Sequence, residues 1–195
     1  MVKVYFVRHA QPDHVWEDDR TRPLTDEGRE DSKKVLEFLK DKKIYKFYCS
    51  PYVRSKDTIA DAARYFGKEI ATDERLRERE AGRAGNAQGM FQKRWADLEF
   101  HEDSGESIGM VQRRNIAALK DMLKDCGDAE DIEIVIGTHG TALSSILNYY
   151  EPSYNCDSFL RIIDWMPYII ELDFEGDRCV GKREHLYVKK EYRGK

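Results

Sequence analysis

Val2-Lys3-Val4-Tyr5-Phe6-Val7-Arg8-His9-Ala10-Gln11-Pro12 is the stretch that decides the fold. Val2 to Val7 are almost all β-branched or aromatic, the composition of a buried strand. The run leads straight into Arg8-His9, passes Ala10 and stops before Pro12. A small residue and a proline just past a strand mark a sharp exit loop. Arg8 and His9 therefore belong at the C-terminal tip of a buried strand, where open α/β sheets place their ligands. Taken alone, the pair reads equally well as a basic cap on a strand end.

Downstream, residues 13–23 form a polar loop holding His14, Trp16, Arg20 and Arg22, which reads either as a pocket border or as a solvated connector. Leu24-Thr25-Asp26-Glu27-Gly28 has the chemistry of a helix start, with Thr25 as N-cap and acids at the positive end of the dipole. Ser32, Val35, Leu36 and Leu39 give that helix one apolar face. Gly28 in its first turn costs helix propensity, which close approach to the sheet or the first loop would explain. Ile44 to Cys49 is a second strand. Ser50 and Pro51 after it read as N-cap and first helical residue. The helix runs on through Ile59, Ala60, Ala63 and Phe66, and Arg54 falls near its first turn. A cation there opposes the helix dipole unless an anion sits between it and the free amides.

Residues 69–72 suggest a short third strand. Residues 73–105 are an irregular excursion with a short helix over 90–100, either a pocket wall or a solvated insertion. Gly105-Glu106-Ser107 precedes a strong helix that Gly127-Asp128 ends. Ile132 to Gly137 is a fourth strand ending in Thr138-His139-Gly140, a second histidine at a strand tip, with a helix over 141–150 behind it. Residues 158–164, 168–174 and 178–188 are strand-like, with Glu175-Gly176-Asp177 as a turn, and predict an edge hairpin within 158–188. Alternating strands and helices predict a three-layer α/β/α sandwich with a mainly parallel sheet, one domain over 1–195.

The 195 residues suffice for a domain with a real core. A net charge of −4 argues against a nucleic-acid-binding face, while leaving room for a locally basic pocket. The apolar runs are too short for a membrane span, and the strand directly after Met1 is unlike a signal peptide. Cys49, Cys126, Cys156 and Cys179 show no metal or CxxC spacing, and read as reduced thiols of a cytoplasmic protein. The lysine-rich segment 189–195 reads as a frayed end.

Two histidines at parallel strand tips, Arg8 beside the first and Arg54 at a helix start belong on one sheet edge. Together they describe a pocket for a doubly charged oxyanion such as phosphate. The order Arg8-His9-Ala10, Leu24-Thr25-x-x-Gly28, Ser50-Pro51-x-x-Arg54, Leu76-x-Glu78, Gly105-Glu106-Ser107 and Thr138-His139-Gly140 resembles the histidine phosphatase superfamily, the phosphoglycerate mutase-like group. The resemblance spans roughly residues 1–150. It implies that His9 is the nucleophile that becomes phosphohistidine. It implies a phosphate clamp of Arg8, Arg54 and His139, with Gln11 and Gly140 in the phosphate- or substrate-binding set. It implies Glu78 as proton donor to the leaving alcohol, and neither a metal nor another cofactor.

Elementary chemistry agrees with these roles. A neutral imidazole is a good nucleophile, neighbouring arginines disfavour its protonation, and the same arginines hold charge on the transferring phosphoryl group. Spacing leaves Glu80 and Glu106 as rivals for the acid. The family holds phosphatases, mutases and non-catalytic binding modules. Ala10-Gln11-Pro12-Asp13-His14 departs from the mutase pattern, so the expected activity is hydrolysis of a small phosphomonoester. A cofactor-dependent phosphoglycerate mutase and a phospho-ligand-binding module are the alternatives. The expected partner is a small phosphorylated substrate, not nucleic acid or a membrane. Arg20, Arg22, Arg83 and His14 are candidates for a second anionic group.

Overall fold

The protein is described by a computed structural model, which covers residues 1–127 and 131–191. Strand β1 (Val2–Arg8) is followed by α1 (Asp26–Leu39), β2 (Ile44–Cys49), α2 (Val53–Tyr65) and β3 (Ile70–Thr72). A 3₁₀ turn (Glu74–Leu76), α3 (Met90–Ala96), α4 (Ile108–Asp125), β4 (Ile132–Thr138) and α5 (Gly140–Tyr150) come next. Helix α6 (Cys156–Ile162) and the hairpin β5 (Trp165–Glu175) and β6 (Arg178–Lys189) complete the order. The sheet runs β3-β2-β4-β1-β5-β6. Its first four strands are parallel, and β5 and β6 add an antiparallel edge.

Both faces of β1 are covered, which is why its sequence is a nearly continuous apolar run. Tyr5 and Val7 pack with Val35 and Leu39 of α1 and Ile59 of α2. Val4 and Phe6 point the other way, into a core with Leu119 of α4, Leu143 and Ile146 of α5 and Phe159 of α6. The strand period of two thus feeds two helix layers, giving an α/β/α sandwich.

The cap expected at Thr25 forms, its Oγ1 accepting from Gly28 N at 2.9 Å, and Ser107 caps α4, its Oγ accepting from Met110 N at 3.0 Å. Three local expectations change. Ser50 does not cap α2, which starts at Val53 after Tyr52. Its hydroxyl is taken by His139 Nε2 at 2.7 Å, a partner 89 residues away. Residues 158–164 are no strand. Asn155 Oδ1 accepts from Ser158 N at 3.2 Å and starts α6, which buries Phe159 and Ile162, three apart on one helical face. The tail does not fray at Lys190. Its ammonium bonds Asp31 at 2.7 Å and Glu27 at 2.6 Å, because the buried Asp31 carboxylate needs countercharge. Asp128, read as part of the α4 stop, and residues 192–195 of the tail lie outside the described residues.

Gly28 shows why it is glycine: a Cβ would stand 2.3 Å from the Gln11 carbonyl oxygen. Helix propensity alone makes Gly28→Ala stabilising by about 1 kcal/mol. The backbone contact reverses that sign. The variant is expected to lose on the order of 1–3 kcal/mol in urea unfolding, and a raised midpoint would refute the close approach.

Candidate active site

The site begins with strand register. Arg8 at the end of β1 pairs with Thr138 at the end of β4, and His9 N donates to Thr138 O at 3.1 Å. Ser50 N, just past β2, donates to Gly137 O at 3.0 Å. Three strands therefore end at one level. The loop after β1 is pinned to α2, with Ala10 N donating to Thr58 Oγ1 and that hydroxyl donating to Arg54 O. A cavity of about 620 Å³ opens there, and its walls include Arg8, His9, Arg54, Glu78 and Gly140.

His9 is 6% exposed, and its Nδ1 lies 2.8 Å from the Ala10 carbonyl. A carbonyl only accepts, so Nδ1 carries the proton and Nε2 keeps its lone pair. Burial first, then Arg54 and Arg8, hold the imidazole pKa well below 6.5. His139 is completely buried and does not line the cavity. Its ring stands behind His9, centroids 5.3 Å apart, and edge-on to Tyr52 at 5.1 Å. Burial, then Arg54 and His9, lower its pKa as well. Its Nδ1 meets no partner among the described residues.

Arg8 Nη1 and Nη2 donate to the carbonyls of Ile162 and Ile163, where α6 ends. Gly140 lies against the same guanidinium, since a Cβ there would come 3.3 Å from Arg8 Cζ. Arg54 is 3% exposed, donates to the Asp19 carbonyl, stands 3.2 Å from the Asp19 carboxylate and packs on Tyr52 at 5.0 Å. Both guanidiniums are thus oriented before any ligand arrives.

Glu78 sits over the start of α5. Oε2 accepts from Thr141 N at 3.0 Å, and Oε1 accepts from Ala142 N at 3.1 Å and Arg79 N at 2.8 Å. Of its rivals, Glu106 is committed to Arg114 at 2.8 Å, Arg77 at 2.9 Å and Glu80 N at 2.9 Å. Glu80 lines the cavity with an exposed side chain.

Gln11 does not line the cavity. Its carboxamide oxygen accepts from Thr25 Oγ1 at 2.9 Å and so faces the start of α1. His14, Arg20 and Arg22 do line it, whereas Arg83 and Trp16 do not. Arg20 is bound in two bonds by Glu74, and Arg22 by Asp19. Two lining features escaped sequence reasoning, the α6 anchor of Arg8 and the buried Arg79. The Asn155 cap was a readable signal for the first; nothing local marked the second.

The sequence profile of the histidine phosphatase superfamily (branch 1) matches residues 4–183. The chain belongs to that family. No curated protein sequence matches it. Among solved structures it resembles a mycobacterial glucosyl-3-phosphoglycerate phosphatase in complex with VO3, at 17% identity and TM-score 0.78, covering 96% of this chain and 99% of that one. It also resembles a phosphoserine phosphatase mutant of Entamoeba histolytica in complex with phosphoserine, at 19% identity and TM-score 0.74, covering 96% of each chain. Bacillus stearothermophilus YhfR is a third likeness, at 19% identity and TM-score 0.75, covering 92% and 95%. At these identities the likeness is one of fold.

Histidines held neutral by burial leave a mark on stability. Their folded-state pKa values lie below the unfolded 6.5, so their contribution is complete above that pH and is lost as pH falls toward the folded values. Each such histidine adds a slope of about 1.4 kcal/mol per pH unit in this window. Urea unfolding between pH 6.5 and 5.5 is expected to show the loss, with a shallower slope in His139→Asn. Equal slopes in the two proteins would show that His139 is not held neutral.

Proposed function

We infer that the protein is a phosphatase of small phosphomonoesters that works through a phosphohistidine on His9. The observation that carries this reading is the state of His9. Its Nδ1–H is fixed on the Ala10 carbonyl, its Nε2 lone pair is kept by burial and two guanidiniums, and it lines the cavity. Nucleophile and charge clamp are what phosphoryl transfer asks of a protein.

A phosphomonoester dianion binds with its non-bridging oxygens toward Arg8 and Arg54, with His139 behind His9. Nε2 attacks phosphorus, an N–P bond forms and the bridging P–O bond breaks. The leaving oxygen takes its proton from the Glu78 carboxyl. Water then attacks the phosphohistidine, Glu78 takes up the proton it loses, and neutral His9 and inorganic phosphate are regenerated. Glu78 suits the acid role better than Glu106 because it lines the cavity, whereas Glu106 does not and is held by two arginines. A first loop that departs from the mutase pattern favours water as acceptor over a second substrate. The substrates named for the related structures, a phosphoglycerate ester and phosphoserine, agree with a small phosphomonoester.

Two variants test the assignment. His9→Ala is expected to abolish an acid-labile phosphoenzyme and nearly all turnover. Glu78→Gln is expected to slow alkyl esters by about 10²–10⁴ and p-nitrophenyl phosphate much less, because a nitrophenolate leaves without a proton. Equal losses on both ester types would remove Glu78 from the acid role.

A further inference from the structure

The two arginines assigned to the phosphoryl group are held by partners of different charge. Arg8 donates to two backbone carbonyls, which are neutral. Arg54 is held by Asp19. Its Nη1 donates to the Asp19 carbonyl and stands 3.2 Å from Oδ1, and its Nη2 donates to Oδ2 at 3.4 Å. Among the described residues Asp19 supplies every acceptor that Arg54 meets. A carboxylate facing both terminal nitrogens of a guanidinium takes the place that a phosphate takes in a two-pronged arginine contact.

The two residues differ in freedom. The Arg54 side chain is 4% exposed and packs on Tyr52, so the guanidinium stays where the fold puts it. The Asp19 side chain is 47% exposed, lines the cavity and belongs to the loop between β1 and α1. It also has a second seat. Its Oδ1 accepts from Arg22 Nη1 at 2.5 Å, and Arg22 is itself tethered by the Trp16 carbonyl. The carboxylate can leave Arg54 by turning its own side chain, and it keeps a countercharge on Arg22 as it does so. Arg54 then calls for another anion. Burial presses its pKa downward, and Asp19 is foremost among the charges that oppose this. A buried guanidinium with one exchangeable countercharge is poised to trade it for another.

We propose that Asp19 is an internal competitor for the phosphoryl group: its carboxylate occupies Arg54, gives way to the substrate dianion by moving onto Arg22, and so sets the affinity of the site. This rests on the phosphatase reading above, which makes Arg54 a ligand of the phosphoryl group. Asp19 tunes binding and takes no part in the chemistry.

The test is the dissociation constant of inorganic phosphate, measured by isothermal titration calorimetry. Asp19→Asn keeps the backbone carbonyl on Arg54 and the size of the side chain, and removes its charge. The variant is expected to bind phosphate about two- to fivefold more tightly than the native protein, the scale of a partly exposed ion pair. Its KM for p-nitrophenyl phosphate is expected to fall with no rise in kcat. If Asp19 only positions Arg54, the sign reverses. Weaker or unchanged phosphate binding in Asp19→Asn overturns the proposal. Asp18→Asn controls for general charge, since Asp18 lines the same cavity but gives its carboxylate to Thr21 and Arg20 N. Equal tightening in Asp18→Asn also overturns the proposal, as does an absence of phosphate binding in both the native protein and Asp19→Asn. If Asp19→Asn does not fold, a crystal structure of the native protein with vanadate decides. The oxyanion is expected on Arg54 with Asp19 on Arg22 alone, and Asp19 still within hydrogen-bond distance of Arg54 overturns the proposal. A native protein that turns over no ester, p-nitrophenyl phosphate included, refutes the phosphatase reading. Tighter phosphate binding by Asp19→Asn would then still establish the competition on Arg54.

Discussion

The pairing of β1 with β4 is the constraint on which the rest depends. Seven consecutive residues pair in parallel without a register shift, from Val2 with Ile132 to Arg8 with Thr138. Because both strands are buried on both faces, a slip of one residue would turn every inward side chain to the wrong helix layer. The register that the core enforces therefore also sets His9 beside His139, though 130 residues separate them. The catalytic geometry is in this sense a by-product of packing Val4, Phe6, Ile134 and Ile136 on one side and Tyr5, Val7 and Val135 on the other.

Placing two arginines and two histidines in so dry a spot has a cost that the fold meets in distinct ways. The histidines stay neutral, which removes two charges from the interior. Arg54 keeps its charge beside Asp19, supplied by the loop that follows β1. Arg8 keeps its charge against carbonyls at the end of α6, where a helix presents negative partial charge. In the proposed reaction a dianion entering between them would meet donors that need little reorganisation, which is the main resource an enzyme has for phosphoryl transfer.

What was legible in the sequence was what local pattern decides. Strand composition located the tips of β1, β2 and β4, and with them Arg8, His9 and His139. The Thr25 cap located the start of α1. What escaped reading depends on partners far along the chain. Ser50 has the chemistry of an N-cap but spends its hydroxyl on His139. Phe159-Leu160-Arg161-Ile162-Ile163 is as apolar as a strand, and only the Asn155 cap and burial on α3 and α5 make it helical. Gln11 lies only two residues past His9, yet the close contact of its carbonyl with Gly28 carries it toward α1. Within Arg77-Glu78-Arg79-Glu80 nothing local separates an arginine with a counterion from one without.

The two ends of the cavity are also held by different means. The end with Arg8 and His9 stands on strand tips fixed by the sheet. Glu78 and Arg79 stand on the excursion between β3 and α4, which has no sheet pairing of its own. Arg114 of α4 supplies the missing support. It donates to the carbonyls of Arg75 and Arg77 at 2.7 Å and of Glu78 at 2.9 Å, and in two further bonds to Glu106, whose carboxylate also takes Arg77 and Glu80 N. Five bonds from one guanidinium, three to carbonyls of Arg75, Arg77 and Glu78 and two to the Glu106 carboxylate, make this segment a braced wall rather than a loose lid. In the proposed mechanism Glu78 reaches the bridging oxygen within hydrogen-bond distance, and such a wall would hold it there. Glu106, bonded to Arg77, Arg114 and Glu80 N, is the carboxylate that ties this segment to α4.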